Sequence, residues 1–381
     1  MYKRIFVLLC WIFILSLSAV HAGGAGDHLI TPDSQDDIIK NIEVSDDSFN
    51  PSLGGEVYIN YELVRPAKTT LRIFGPDREL IAEPVKDKQQ KTGTHRIVWD
   101  GRDADEDVVP DEAYFFTITA RDEKGIKQVY DPCVFSGGIE KDLSEASIND
   151  QAGTIEYELT EMARVRIRLG ISGGPLLYTL VDWKPRIAGR ITEHWDGWDK
   201  DHVIQLRDHP RFKMIITRLT LPENSFIAYG NKQTDYFAYS EKISRPEKKE
   251  YDPPSAYSDR NVSFHAQIPR IKDRSPEVTM TFPEKAVTED GAAVLEGKTL
   301  VRVELEDEYK EFFQEMKYEI CFFLDGEFYA EEEAGYSPYN WLWDTSRMEP
   351  GTYILTVNLA SFKGQIGILS KEIKVINKEV K

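Results

Sequence analysis

The chain has 381 residues, with 47 Lys and Arg against 65 Asp and Glu, a net charge of −18. That balance argues against nucleic-acid binding, which rests on a cationic surface, and against an anionic membrane surface, which attracts basic segments. Three cysteines are too few for a small disulfide framework, and the length suffices for roughly two to four domains.

Lys3 and Arg4 precede an apolar run from Ile5 to Val20, and Val20-His21-Ala22 supplies a small-x-small cleavage pattern. The 16 residues of that run fall short of the roughly 18 that a bilayer span needs. Residues 1–22 therefore predict a signal peptide, with an uncleaved anchor as the alternative. Cys10 lies inside the run, too early for a lipoprotein cysteine. The mature chain, starting at Gly23, is expected outside the cytoplasm, in the periplasm, at the cell surface or secreted. No later run has spanning length, so no membrane span is expected after cleavage. Residues 23–41 read as an N-terminal linker.

Residues 42–136 form a first unit. Val57, Ile59, Tyr61 and Leu63 alternate with polar residues, as do Leu71 and Ile73; Tyr114, Phe116 and Ile118 share another face. Period-two alternation in short runs broken by Gly, Pro and Asp predicts half-buried strands. A second unit, 137–243, repeats the first at an offset of 96 residues: INYEL at 59–63 meets IEYEL at 155–159, and Trp99-Asp100-Gly101 meets Trp195-Asp196-Gly197. Val165, Ile167 and Leu169 alternate along its second strand. No long stretch of convincing 3.6-residue period appears, so both units read as β-sandwiches.

Residues 244–274 are rich in Pro and charge and read as a connector, with NVSFHAQI as a possible extra strand. Residues 275–378 form a third unit, which closes on SPYNWLWDTSRMEPGTYILTV and contains Trp343-Asp344.

Residues 49–120 carry an Asn-Pro opening, a Tyr-x-Leu strand, Gly-x-His before Trp-Asp-Gly, and a Pro-x-x-x-Tyr turn in which Glu112 replaces the usual Gly. They resemble the Ig-like domain of flagellar hook-assembly (FlgD) proteins, a domain that also occurs on many secreted bacterial proteins. The second unit keeps the strand and the Trp-Asp-Gly turn but loses the opening and the last turn. The third resembles secreted bacterial Ig-like domains. The resemblance implies an all-β fold, three tandem Ig-like or fibronectin-like β-sandwich domains, in a non-enzymatic structural, adhesive or scaffold protein. It implies protein partners in an extracytoplasmic assembly; edge strands offer them a route by strand addition.

The repeated turn is read as structural. Trp99 anchors a strand end, Asp100 accepts amides of the following turn, and Gly101 takes a positive φ. Trp195, Asp196 and Gly197 do the same, with Trp343 and Asp344 as a variation. The alternative is calcium, because Asp103, Asp105 and Asp107 follow a calcium-loop spacing with Asp111 nearby; Val108 and Tyr114 stand where such a loop needs Gly and a bidentate Glu. His194, His202 and His209 lie among Asp196, Asp199, Asp201 and Asp208 without the spacing of a zinc site. The stretch GISGG at 170–174 lacks the following helix of a phosphate loop, and no nucleophile motif appears. No catalytic residue and no cofactor is assigned. Tyr336, Tyr339, Trp341 and Trp343 motivate the alternative of polysaccharide binding, as a carbohydrate-binding or accessory module. Cys133 and Cys321 are read as two thiols, or as an inter-domain disulfide.

Overall fold

The computed structural model describes residues 37–243, 260–283, 285, 287 and 291–377. The signal peptide, its cleavage site, residues 23–36 of the expected linker and residues 244–259 of the expected connector lie outside the described residues.

Module one contains β1 (Ile39–Val44), β2 (Ser48–Phe49), β3 (Val57–Leu63), β4 (Ala67–Phe74), β5 (Leu80–Gln90), β6 (Gly93–Trp99), β7 (Glu112–Asp122) and β8 (Lys127–Tyr130), followed by the one-turn α1 (Pro132–Phe135). Sheet β1-β3-β6 faces a second sheet built around β7-β4-β5. Period-two patterning explains the sandwich: Val57, Ile59, Tyr61 and Leu63 are fully buried between the sheets, against Leu71, Ile73, Tyr114, Phe116 and Ile118.

Module two contains β9 (Glu140–Asp142), β10 (Ala146–Asn149), β11 (Thr154–Leu159), β12 (Ala163–Ile171), β13 (Leu176–Arg186), β14 (Gly189–His194) and β15 (Phe212–Thr220). Its sheets run β10-β11-β14 and β13-β12-β15-β9. The chain then returns to module one: β16 (Phe226–Ala228) pairs with β2 and β7, and α2 (Tyr236–Ile243) buries Tyr236, Tyr239 and Ile243 in the core of module one.

Module three contains β17 (Val278–Thr281), β18 (Ala293–Leu295), β19 (Lys298–Leu305), α3 (Asp307–Met316), β20 (Tyr318–Leu324), β21 (Glu327–Glu332), β22 (Tyr339–Asp344), β23 (Gly351–Ser361) and β24 (Ile366–Val375). Sheets β17-β19-β22 and β18-β24-β23-β20-β21 enclose its core. The fold is all-β, a chain of Ig-like or fibronectin-like sandwiches.

Four expectations are corrected. Residues 23–41 are not wholly linker, because Ile38 and Ile39 enter the core of module one. Residues 137–243 are not one unit: Phe226 and α2 supply apolar surface that completes module one's core. The connector 244–274 is, over its described part, a strap of short 3-10 turns (Phe264–Ala266 and Arg270–Asp273) packed between modules, and NVSFHAQI forms no strand. A helical period was present in module three: Tyr309, Phe312 and Phe313 of α3 stand at helical spacing and are buried, behind Asp307 and Glu308 in the first turn.

Candidate functional site

The Trp-Asp turns of modules one and two share one geometry, and that of module three is a variation on it. Trp99 is 4% exposed and its indole N–H donates to the Arg102 carbonyl at 2.8 Å, while the Arg102 amide donates to Asp100 Oδ1 at 3.2 Å. In module two the indole of Trp195 donates to the Trp198 carbonyl at 2.8 Å, and the Trp198 amide to Asp196 Oδ1 at 3.0 Å. In module three the buried Trp343 donates instead to the Tyr329 hydroxyl at 2.9 Å, and the Ser346 amide to Asp344 Oδ1 at 3.0 Å. Gly101 and Gly197 take φ of 75° and 96°. A Cβ on Gly101 would meet Pro51 Cγ at 2.9 Å, so the turn also sets a close approach.

The turn's later carboxylates go to separate partners. Asp103 is buried; its Oδ1 accepts the amides of Asp105 (2.9 Å) and Asp107 (3.0 Å), and its Oδ2 accepts the Tyr239 hydroxyl at 2.9 Å. Asp107 pairs with Lys242 of α2, and Asp111 accepts the Asn231 amide at 2.7 Å. The loop thus holds the returning segment on module one. Module two repeats the device. Asp199 Oδ1 accepts the Val203 and Ile204 amides, Asp201 Oδ2 accepts the Ser370 amide of module three at 2.7 Å, and Lys200 pairs with Glu277 at 2.6 Å. In each repeat the acidic loop seats the element that packs next to it.

The candidate histidines do not converge. His202 Nε2 lies 2.9 Å from Asp196 Oδ2, and His209 Nδ1 accepts the Arg211 amide at 3.2 Å. Among the described residues, no three His, Cys, Asp or Glu side chains gather into a group that could hold a metal. Gly174 closes the β12–β13 hairpin by donating to the Ile171 carbonyl at 2.9 Å, and a strand follows it. Cys133 and Cys321, in modules one and three, are thiols. Trp341 stacks on Trp343 at 5.0 Å and packs on Phe322 at 4.5 Å, while Tyr336 is 47% exposed.

The most concentrated polar chemistry lies on β12, in the stretch ARVRIRL. Val165, Ile167 and Leu169 point into module two's core, so pleating sends Arg164, Arg166 and Arg168 to the opposite face. A different body covers each arginine. Arg164 donates to Glu112 of module one at 2.8 Å. Arg166 lies over the Trp183 ring at 4.2 Å, near His265 of the strap, and Arg168 donates to the Gly364 carbonyl of module three. The strap adds Arg270, whose Nε lies 3.5 Å from Glu112 and whose Nη2 donates to the Trp183 carbonyl at 2.8 Å. Asp273 Oδ1 lies 2.5 Å from His265 Nδ1 and accepts Gln365 Nε2 of module three at 3.1 Å.

Burial opposes the charges here. It would raise the Glu112 carboxyl, yet Arg164 and Arg270 outweigh it and hold Glu112 below the usual range. Burial, aided by the neighbouring Arg166 charge, pushes the Arg168 guanidinium down to about 9. A cavity of about 60 Å³ beside this cluster is lined by Arg164, Arg270, His265, Cys133 and the backbone of Gly137 and Gly138. Module three is also fixed directly to module two: the Leu176 amide donates to Asn358 Oδ1 at 2.9 Å, and Asn358 Nδ2 to the Leu176 carbonyl at 2.8 Å.

This cluster was not legible in the sequence: three arginines at alternate positions of one strand make a uniformly charged face, and only the fold decides whether solvent or partner groups cover it.

No protein-family model matches the chain, and comparison with curated proteins gives no match. Among solved structures, the chain is similar to an endo-β-1,4-mannanase from Thermotoga petrophila (15% identity, 39% of this chain, 30% of that chain, TM-score 0.21). It is similar to a bacterial ice-binding adhesin described for host cell surface retention (12% identity, 89% and 98% coverage, TM-score 0.17). It is also similar to dimeric latent PorU from Porphyromonas gingivalis (9% identity, 88% and 33% coverage, TM-score 0.20). The chain spans about a third of the length of the mannanase and PorU chains.

Proposed function

We propose that this chain is a non-enzymatic extracytoplasmic scaffold, in a periplasmic or cell-surface assembly, whose Ig-like modules are locked together so that they present partner-binding edges at fixed positions. The observation that carries this is Glu112, buried between Arg164 of module two and Arg270 of the strap. An array that only tethers its modules has no use for a desolvated charge cluster at their junction. The cost of burying these ions is met only when both partners stay in place. The resemblance of the first two units to the FlgD-type Ig-like domain, and the apolar run before Gly23, support an assembly role outside the cytoplasm.

Fractionation with in situ cross-linking tests the proposal. The expected result is an extracytoplasmic chain beginning at Gly23 and recovered in covalent adducts with other proteins. Recovery from the cytoplasm, or turnover of a polysaccharide by the purified chain, would contradict it.

A further inference from the structure

Strand β22 ends the β17-β19-β22 sheet, and β21 ends the sheet opposite. The two edges meet on one side of module three, where the rings of Tyr329 on β21 and Trp343 on β22 lie 5.5 Å apart. Exposed edges are usually blunted by Lys, Pro, bulges or shortness. Among the described residues, other edges carry such groups or an arginine: β5 has Pro84, Lys86 and Lys88, β13 has Lys184 and Pro185, β6 has Arg96, and β14 has Arg190. Strand β22, YNWLWD, contains no Lys, Arg or Pro and pairs with β19 in unbroken register from Tyr339 to Asp344.

Its side chains are those of a docking edge. Leu342 is 63% exposed and sits opposite Leu300, which is 36% exposed, making an apolar pair on the outer face. Tyr329 (41%) and Phe328 (55%) stand exposed along β21. Acids surround them: Glu327, Glu331 and Glu332 on β21, and Glu333 just beyond.

We infer that β22 is a strand-addition site for an extended segment of another protein in which apolar and basic residues alternate. The segment would continue the β17-β19-β22 sheet over the open side of the sandwich. Main-chain hydrogen bonds to β22 would hold it, with apolar side chains beside Leu342 on the outer face and basic ones on the opposite face, toward the acids of β21. Charge selects this occupant. A second copy of the chain, at −18, would bring like charge to the same edge. A sugar would need free ring faces, and Trp341 is engaged by Trp343 and Phe322. The inference rests on the scaffold reading for its biological sense but not for its test, because module rigidity and peptide binding are measured separately.

The experiment uses the full chain and fluorescein-labelled peptides of about eight residues: alternating lysine and valine, and the same with glutamate for lysine. Anisotropy should show the lysine peptide binding at least about tenfold more tightly than the glutamate peptide. Hydrogen exchange should show new protection at Tyr339–Asp344. Leu342→Lys and the pair Glu331→Lys with Glu333→Lys should each weaken binding about tenfold. Asn340→Lys, also at an exposed position, provides a second edge variant if Leu342→Lys melts early. Equal binding of the two peptides, protection elsewhere, or insensitivity to both edge variants would overturn the inference. Saturable binding of soluble glucans without peptide binding would assign the edge to sugar, and self-association abolished by Leu342→Lys would assign it to a second copy.

Discussion

Glu112 of β7 and Arg164 of β12 pair at 2.8 Å across the junction of modules one and two, both buried, with Arg270 of the strap 3.5 Å from the other carboxylate oxygen. One acid thus joins three segments far apart in sequence. Removing one member of a buried pair leaves an uncompensated charge and costs about 3–5 kcal/mol. Glu112→Ala should therefore lower the calorimetric transition of modules one and two by that amount and leave module three's transition in place. An unchanged thermogram would show that the pair does not couple them.

Trp99 makes ring contacts with Phe49, Tyr114 and Phe226, and Phe226 arrives from the returning strand β16. Trp99→Ala should destabilise module one by about 3–5 kcal/mol, the usual cost of emptying an aromatic core site. Module three should stay folded. A small effect, with indole fluorescence reporting an exposed ring, would contradict the placement of Trp99 in the core.

Local patterning made much of this legible. Alternation at Val57–Leu63 and the repeat from Trp99 to Trp195 were enough to place strands and turns, because each is decided within a few residues. The return of β16 and α2 to module one was not legible. Their partners, Tyr114 and Asp103, lie more than a hundred residues upstream, and nothing local in the stretch FIAYG names them. The arginine ladder was hidden for a related reason. Arg164, Arg166 and Arg168 look like a solvated face until Glu112, Asp273 and Gly364 are brought over it.

Glu79 should make stability depend on pH. Burial, reinforced by the Asp77 charge, raises its carboxyl from 4.5 to about 8. The Tyr236 hydroxyl donates to Glu79 Oε1 at 2.8 Å, and the Arg270 amide to Asp77 Oδ1 at 2.7 Å. A raised folded value means that the native state holds this proton while the unfolded chain releases it. The contribution is complete below 4.5 and is lost as pH rises toward about 8. Glu79→Gln should flatten that slope, in which each tenfold difference in proton affinity between the folded and unfolded chain is worth about 1.4 kcal/mol. Identical pH profiles for the two proteins in urea denaturation would contradict the burial of an ionisable Glu79.

The loop at Asp103 should behave as a clamp on α2. Tyr239→Phe removes the hydroxyl that Asp103 Oδ2 accepts and leaves a buried oxygen unpaired, at a cost of about 1–3 kcal/mol. Calcium and magnesium at matched ionic strength should shift the melting temperature alike. A rise of several degrees with calcium alone would show that Asp103, Asp105 and Asp107 can gather round a cation.

The most direct test of a locked array is small-angle X-ray scattering of the full chain, alongside Glu112→Ala. One fixed arrangement of modules should fit the wild-type profile. That profile should hold from about 0.1 to 0.5 M salt, because buried pairs are screened little. Glu112→Ala should expand the particle and require an ensemble. A wild-type profile that already requires independently moving modules, or one that Glu112→Ala leaves unchanged, would contradict a locked array.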